Sequence, residues 1–218
     1  MVACDNGDSC RRDSTPILYK LVNDGQAFTH DEANAIKAKV WDVARTEARA
    51  VTQINLNYKR SGEPEEMIPY LTPEEIFLLI HNGPIVFTRS SETRIGYVGQ
   101  TFASNKITFY NLIGANCNCL IPNYMADYPN VIVHEIIHAI DYSDNYWGEG
   151  VPGELLNRTD DGFYGQMNYW QFGGDDTGQE IFADMGVGWV YDTWGNNRGK
   201  ANWMNANIGP ILFSRLGY

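Results

Sequence analysis

From residue 134 to 138 the chain reads His-Glu-Ile-Ile-His, and no other segment constrains its fold as strongly. On an α-helix residues four apart lie on one face, one turn from each other, so His134 and His138 can hold one ion together if this stretch is helical. The neighbouring sequence agrees. Val133, Ile136, Ile137 and Ile140 recur at the spacing of one buried helical face, and Pro129 suits a first turn, where its missing N–H costs nothing. His134, His138 and Asp141 then line a polar stripe along an otherwise apolar helix. Such a stripe is stable where something polar fills the space in front of it. A divalent ion meets that need, with two imidazoles as ligands and Glu135 placed to act as general base on the water the ion activates. The chain has four histidines in 218 residues. Two of them lie in this segment, which favours a zinc hydrolase site over coincidence.

A catalytic zinc takes three protein ligands and keeps one position open. The remaining histidines, His30 and His81, both lie far upstream, so the third ligand is expected to be a carboxylate. Glu180-Ile181-Phe182-Ala183-Asp184 opens an apolar-periodic segment that reads as a helix, continuing through Met185 and Trp189. Glu180 would face the ion from the first turn. Asp184, one turn later, would accept a hydrogen bond from a ligating histidine and fix its tautomer. The stretch Thr177-Gly178-Gln179-Glu180 also fits a capping box, in which the glutamate serves only the helix N-terminus.

His134 to His138 together with Glu180 to Asp184 resembles the gluzincin metallopeptidases. The sequence is most similar there to the branch holding the anthrax lethal factor catalytic domain and the Pro-Pro endopeptidases. The resemblance covers residues from about 130 to 190. It implies one catalytic Zn2+ held by His134, His138 and Glu180, with Glu135 as base; Asp184 and Asp141, from their helix positions, are expected behind the ligands. A metzincin pattern is excluded, because Asp141 and Asp144 stand where its glycine and last histidine belong. A second resemblance is to the aspzincins, through Thr159-Asp160-Asp161-Gly162-Phe163-Tyr164-Gly165, with Arg158 in place of that pattern's first glycine. It implies Asp161 as third ligand and Tyr164 as a transition-state donor. Peptide hydrolysis also needs an oxyanion donor. With no histidine after His138, Tyr164 and Tyr169 are the candidates, although the lethal-factor branch would place that donor where Gly173 stands.

The rest of the chain supplies a frame. Thr29 to Glu32 fits a capping box, and Ile36, Val40, Val43, Glu47, Val51 and Ile54 trace a long helix after it. Thr72-Pro73-Glu74-Glu75 starts a shorter helix through Ile80. Pro84 to Thr88, Gly96 to Phe102 and Lys106 to Asn111 read as strands, the last two joined by a turn at Ser104-Asn105. The expected class is α+β. The resemblance implies a two-lobed zincin-like form, with a small twisted sheet, an active-site helix and a mainly helical C-terminal lobe. In it Ile107 to Tyr110 would be the cleft edge that pairs with an extended substrate. Residues 1–16 read as a polar tail and 17–218 as one catalytic domain, with lobes meeting near residues 143 and 144.

A net charge of −11 argues against nucleic acid, which requires clustered Lys and Arg. No apolar run is long enough for a membrane span. Four cysteines, paired in sequence as Cys4 with Cys10 and Cys117 with Cys119, suit local disulfides and so a secreted or extracellular protein. No signal-peptide pattern is present, as expected of a mature fragment. The function expected is that of a zinc endopeptidase, a monomer acting on peptides or proteins. The alternative is a glycan- or protein-binding module with a structural or vestigial zinc site. It draws on the aromatic-rich stretch from Tyr142 to Trp203, which includes Trp147, Trp170, Trp189 and Trp194.

Overall fold

The computed structural model describes residues 16–63, 68–95, 98–114, 117–120, 130–142, 178–195 and 197–217. Along these the chain forms β1 (Tyr19–Asp24), α1 (His30–Ser61), α2 (Pro73–Ile80), β2 (Ile85–Ile95), β3 (Gly99–Ala103), β4 (Lys106–Gly114) and β5 (Cys117–Leu120). The helices α3 (Asn130–Tyr142), α4 (Gly178–Tyr191) and α5 (Arg198–Arg215) follow. This is an α+β fold. Residues 1–15 of the tail, with Cys4 and Cys10, lie outside the described residues, as do Pro129 and Thr177, and Cys117 and Cys119 both fall in β5.

Both capping boxes form as their residue types dictate. Thr29 Oγ1 accepts from the Glu32 amide at 3.2 Å, and Glu32 Oε2 accepts from the Thr29 amide at 2.8 Å. Thr72 and Glu75 repeat the exchange at the start of α2, with Pro73 at the first helical position. Ile36, Val40, Val43 and Val51 of α1 are buried, and the helix runs to Ser61, beyond the apolar stripe that marks it in sequence.

The sheet runs β1-β2-β4-β3, with β5 pairing the far end of β4. β1, β2 and β4 are parallel, whereas β3 is antiparallel to β4. This overturns the expected cleft edge at Ile107 to Tyr110. β4 is an interior strand, with Ile107 opposite Phe87 of β2 on one side and Thr101 of β3 on the other. On one side the Ser104-Asn105 turn folds β3 into a hairpin with β4, and on the other β2, distant in sequence, docks parallel to it. Phe87 and Phe109 stack at 6.0 Å and hold β2 against the opposite side of β4. Among the described residues the edge on this side is therefore β3. Because facing alternates along a strand, Gly99 and Thr101, paired with Phe109 and Ile107, look toward the helices as those core residues do.

One hydrophobic core joins α1, the sheet and α3 to α4 and α5. Trp203 is buried in it, and Trp189 and Trp194 pack against it. Among the described residues, two buried pairs of ionisable side chains bind these layers. Glu32 Oε1 meets Arg89 Nε at 3.4 Å, so the capping glutamate of α1 also pairs with β2. His81, at the end of α2, lies 3.1 Å from Glu47 Oε1 of α1 and donates through Nδ1 to the Ser104 carbonyl at 3.2 Å. Burial pushes the Glu47 carboxyl above its ordinary value, and the His81 charge and hydrogen bond offset part of that rise.

Removing one partner of such a pair leaves a buried group uncompensated. His81→Leu is expected to lower stability by about 3–5 kcal/mol in urea unfolding, and the double variant His81→Leu/Glu47→Leu to recover part of that loss.

Candidate metal centre

The ligand-bearing helices cross where a side chain is missing. A Cβ at Gly186 of α4 would stand 2.3 Å from Ile137 Cγ1 and 2.6 Å from its Cγ2, so only glycine lets α4 approach α3 this closely. Ile137 lies between the two histidines and Gly186 two residues beyond Asp184, so the crossing brings the acidic residues of α4 to the imidazoles of α3. Val133, Ile136, Ile137 and Ile140 are fully buried and orient α3.

His134 Nδ1 donates to Asp184 Oδ1 at 3.0 Å. That bond leaves Nε2 as the atom that carries the lone pair in the neutral ring. Nε2 lies 2.9 Å from Glu180 Oε2 and 3.1 Å from His138 Nε2, and His138 Nε2 lies 3.4 Å from Glu180 Oε1. Two ligands of a tetrahedral ion at about 2.0–2.1 Å stand about 3.3 Å apart, close to all three of these separations. The ligand atoms of His134, His138 and Glu180 lie within 4.8 Å of one another.

Charge points the same way. Glu180 and Asp184 bring two carboxylates to two imidazoles, and Asp184 is 1% exposed with its Oδ2 lacking any hydrogen-bond partner among the described residues. Buried lone pairs that face one another need a cation between them, either a proton or a metal. Without a metal, the proton takes that place. Burial alone would lower the His134 pKa, but hydrogen bonds and charge from Asp184 and Glu180 raise it to about 10. Burial likewise opposes ionisation of Glu180, yet its hydrogen bonds to His134 and His138, and their charge, hold the carboxyl well below the usual range. The donor set therefore fits a divalent ion that accepts imidazole and carboxylate.

Glu135 sits on the same helix, 6% exposed, against β3. Thr101 Oγ1 lies 2.8 Å from Glu135 Oε2 and 2.9 Å from the Glu135 carbonyl, as donor to both. A Cβ at Gly99 would come within 2.7 Å of Glu135 Oε1.

The structure thus brings together His134, His138, Glu180 and Asp184 as the sequence spacing suggested, and the Glu180 carboxylate reaches the histidines. Asp141 lies in the last turn of α3, half-buried. Asp161, Tyr164 and Tyr169 lie outside the described residues. Sequence reasoning missed Gly186, Gly99 and Thr101. A glycine inside an apolar helical pattern was a usable sign of close packing at Gly186. A threonine on a strand carries no such signal. A cavity of about 940 Å³ is lined mainly by α1 and α5 residues, Ile54, Tyr58 and Phe213 among them, with Trp189 of α4 and Trp194, and by none of this cluster. No protein-family model, curated protein or solved structure matches the chain.

Three outcomes are expected. Glu180→Ala abolishes stoichiometric metal binding in competition with a chromophoric chelator, whereas normal loading would move the third ligand to Asp161. Gly186→Ala weakens binding by about tenfold or more while helix content stays unchanged, since overpacking separates the two helices. Finally, His134 keeps a proton to well above neutrality, so an incoming ion must displace it. Metal binding near pH 7 should then release about one proton, and affinity should rise by about tenfold per pH unit from pH 5.5 to 7.5 in titrations with weakly buffered protein.

Proposed function

We propose that this chain is a zinc-dependent endopeptidase of gluzincin type, with a two-lobed zincin-like form. The observation that carries the reading is the convergence of His134 Nε2, His138 Nε2 and the Glu180 carboxylate, with Glu135 on the same helix and tucked beneath an edge strand. When bound, zinc supplies Lewis-acid polarisation of a carbonyl and acidifies water. His134, His138 and Glu180 would hold it. Asp184 keeps the His134 ring in the tautomer and orientation that ligation requires. Glu135 takes the proton of the attacking water and returns it to the departing amine.

A peptide is the substrate class that the surroundings favour. Among the described residues β3 pairs with β4 alone, so its other edge offers backbone N–H and C=O groups to an extended chain. That edge belongs to the strand that contacts Glu135, so a substrate added there would lie next to the base. The glycan-stacking alternative draws on other aromatics: Trp203 is buried in the core, Trp189 and Trp194 pack against it and line the cavity beside α1 and α5, and Trp147 and Trp170 lie outside the described residues. The intact base beside the ligands has no use in a purely structural site. No helix among the described residues is long and apolar enough to cross a membrane.

The test is digestion of a peptide library read by mass spectrometry, comparing the zinc-loaded protein, the chelated protein and Glu135→Gln. Cleavage is expected in the first alone, with Glu135→Gln retaining its ion and losing at least about 10²-fold in turnover. Undiminished cleavage by Glu135→Gln would refute the role of that residue. Binding of a glycan or protein that survives chelation, with no cleavage, would support the module instead.

A further inference from the structure

Glu135 is held from outside its own helix, and neither group that holds it belongs to the ligand set. The Thr101 hydroxyl reaches the Glu135 carboxylate at 2.8 Å and the main-chain oxygen of the same residue at 2.9 Å. It has a single proton, so the carboxylate and the carbonyl share one donor. Bridging the two oxygens of one residue leaves its side chain few rotamers, because each χ change carries Oε2 away from the hydroxyl. The opposite constraint comes from Gly99, where any Cβ would stand 2.7 Å from Oε1 and 2.8 Å from Cγ and Cδ. Both residues face α3 because they are two apart on β3, and that facing is fixed by the pairs Gly99 with Phe109 and Thr101 with Ile107. Thr101 and Glu135 are each only 6% exposed, so little water competes for this bond.

We propose that β3 is the seat of the general base: Thr101 is a positioning residue that fixes the Glu135 rotamer, and Gly99 is the gap into which the carboxylate fits. The catalytic consequence rests on the hydrolase reading given above; the seating does not. With Oε2 engaged by the hydroxyl, Oε1 is the oxygen left to take a proton. Among the described residues the same strand has its other edge unpaired, so substrate binding there and base orientation would be joined through one backbone. A general base contributes to rate only within hydrogen-bond reach of the proton it abstracts, so loss of the seat should lower turnover and spare substrate binding.

The experiment has two independent readouts on the whole chain. The first is crystallographic, in metal-free wild type, Thr101→Val, Thr101→Ser and Gly99→Ala. The Glu135 carboxylate should leave its position in Thr101→Val and in Gly99→Ala, and stay in Thr101→Ser, which keeps the hydroxyl. The second is kinetic, on the zinc-loaded proteins with zinc content measured. Thr101→Val should lose about ten- to a hundredfold in kcat at unchanged KM and zinc content, and Thr101→Ser should restore it. If Thr101→Val does not fold, Thr101→Ser against Gly99→Ala carries the same contrast, with the carboxylate held in one and displaced in the other. An unmoved Glu135 in Thr101→Val or Gly99→Ala would overturn the seat. So would equal losses in Thr101→Val and Thr101→Ser. A wild type that cleaves no peptide would instead sink the hydrolase reading, and the Glu135 position across the four structures would still decide the seat.

Discussion

Asp184 is almost wholly buried, and its one hydrogen bond among the described residues is the one it accepts from His134. A lone carboxylate in an apolar interior is stable only if positive charge stays close to it. That need organises the surrounding structure. It fixes which nitrogen of His134 looks outward, it ties α4 to α3, and it places Glu180, one turn earlier on α4, against both imidazoles. The tight crossing at Gly186 supplies the proximity; the buried charge makes the proximity matter. Either change alone, a wider crossing or a missing acid, would leave a pair of histidines on a helix without the third group that lets the cluster hold an ion.

The sheet plays a different part. The parallel strands β2 and β4 build the core with α1 and α3, while the antiparallel β3 lies against Glu135 of α3. The hairpin through Ser104-Asn105 lets a short strand lie along α3 without a crossover, and its two inward positions are occupied by a glycine and a threonine where the rest of the sheet has Phe and Ile. The price of this placement is lost apolar packing at the edge. The buried Glu47–His81 pair, reaching the Ser104 carbonyl, stiffens the same hairpin from its other end.

Much of this was legible in the sequence because short-range rules carried it. The capping residues at Thr29 and Thr72 form the expected boxes, since those depend on three adjacent residues alone. The stripe of Val133, Ile136, Ile137 and Ile140 and the spacing of His134 to His138 likewise required only helical geometry. What failed was long-range. Whether β4 is an edge depends on where β2 docks, and β2 is recognisable as a strand but not as a neighbour. β1 is largely exposed and shows no alternating pattern, so nothing marked it. α5 carries Pro210 within it, a residue that reads as a helix break, and the helix forms through burial of Met204, Ile208 and Leu212. Thr101 and Gly99 were invisible for the same reason: their meaning comes from a helix more than thirty residues further along the chain.

The pairing between β3 and β4 shifts register between Thr101 and Ala103, close to the Ser104-Asn105 turn. Such an irregularity re-aims the residues that follow it, and here it marks the only part of the hairpin whose alignment is not simple alternation. A slip of one residue would turn Thr101 outward and bring Gln100 or Phe102 against Glu135, exchanging a small hydroxyl for a bulk the space cannot hold. The native alignment is thus selected twice, by the core residues of β4 and by the carboxylate on α3. In evolutionary terms this makes β3 a poor place for insertions or deletions: a strand that tolerates substitution at its exposed positions would tolerate almost no change in length.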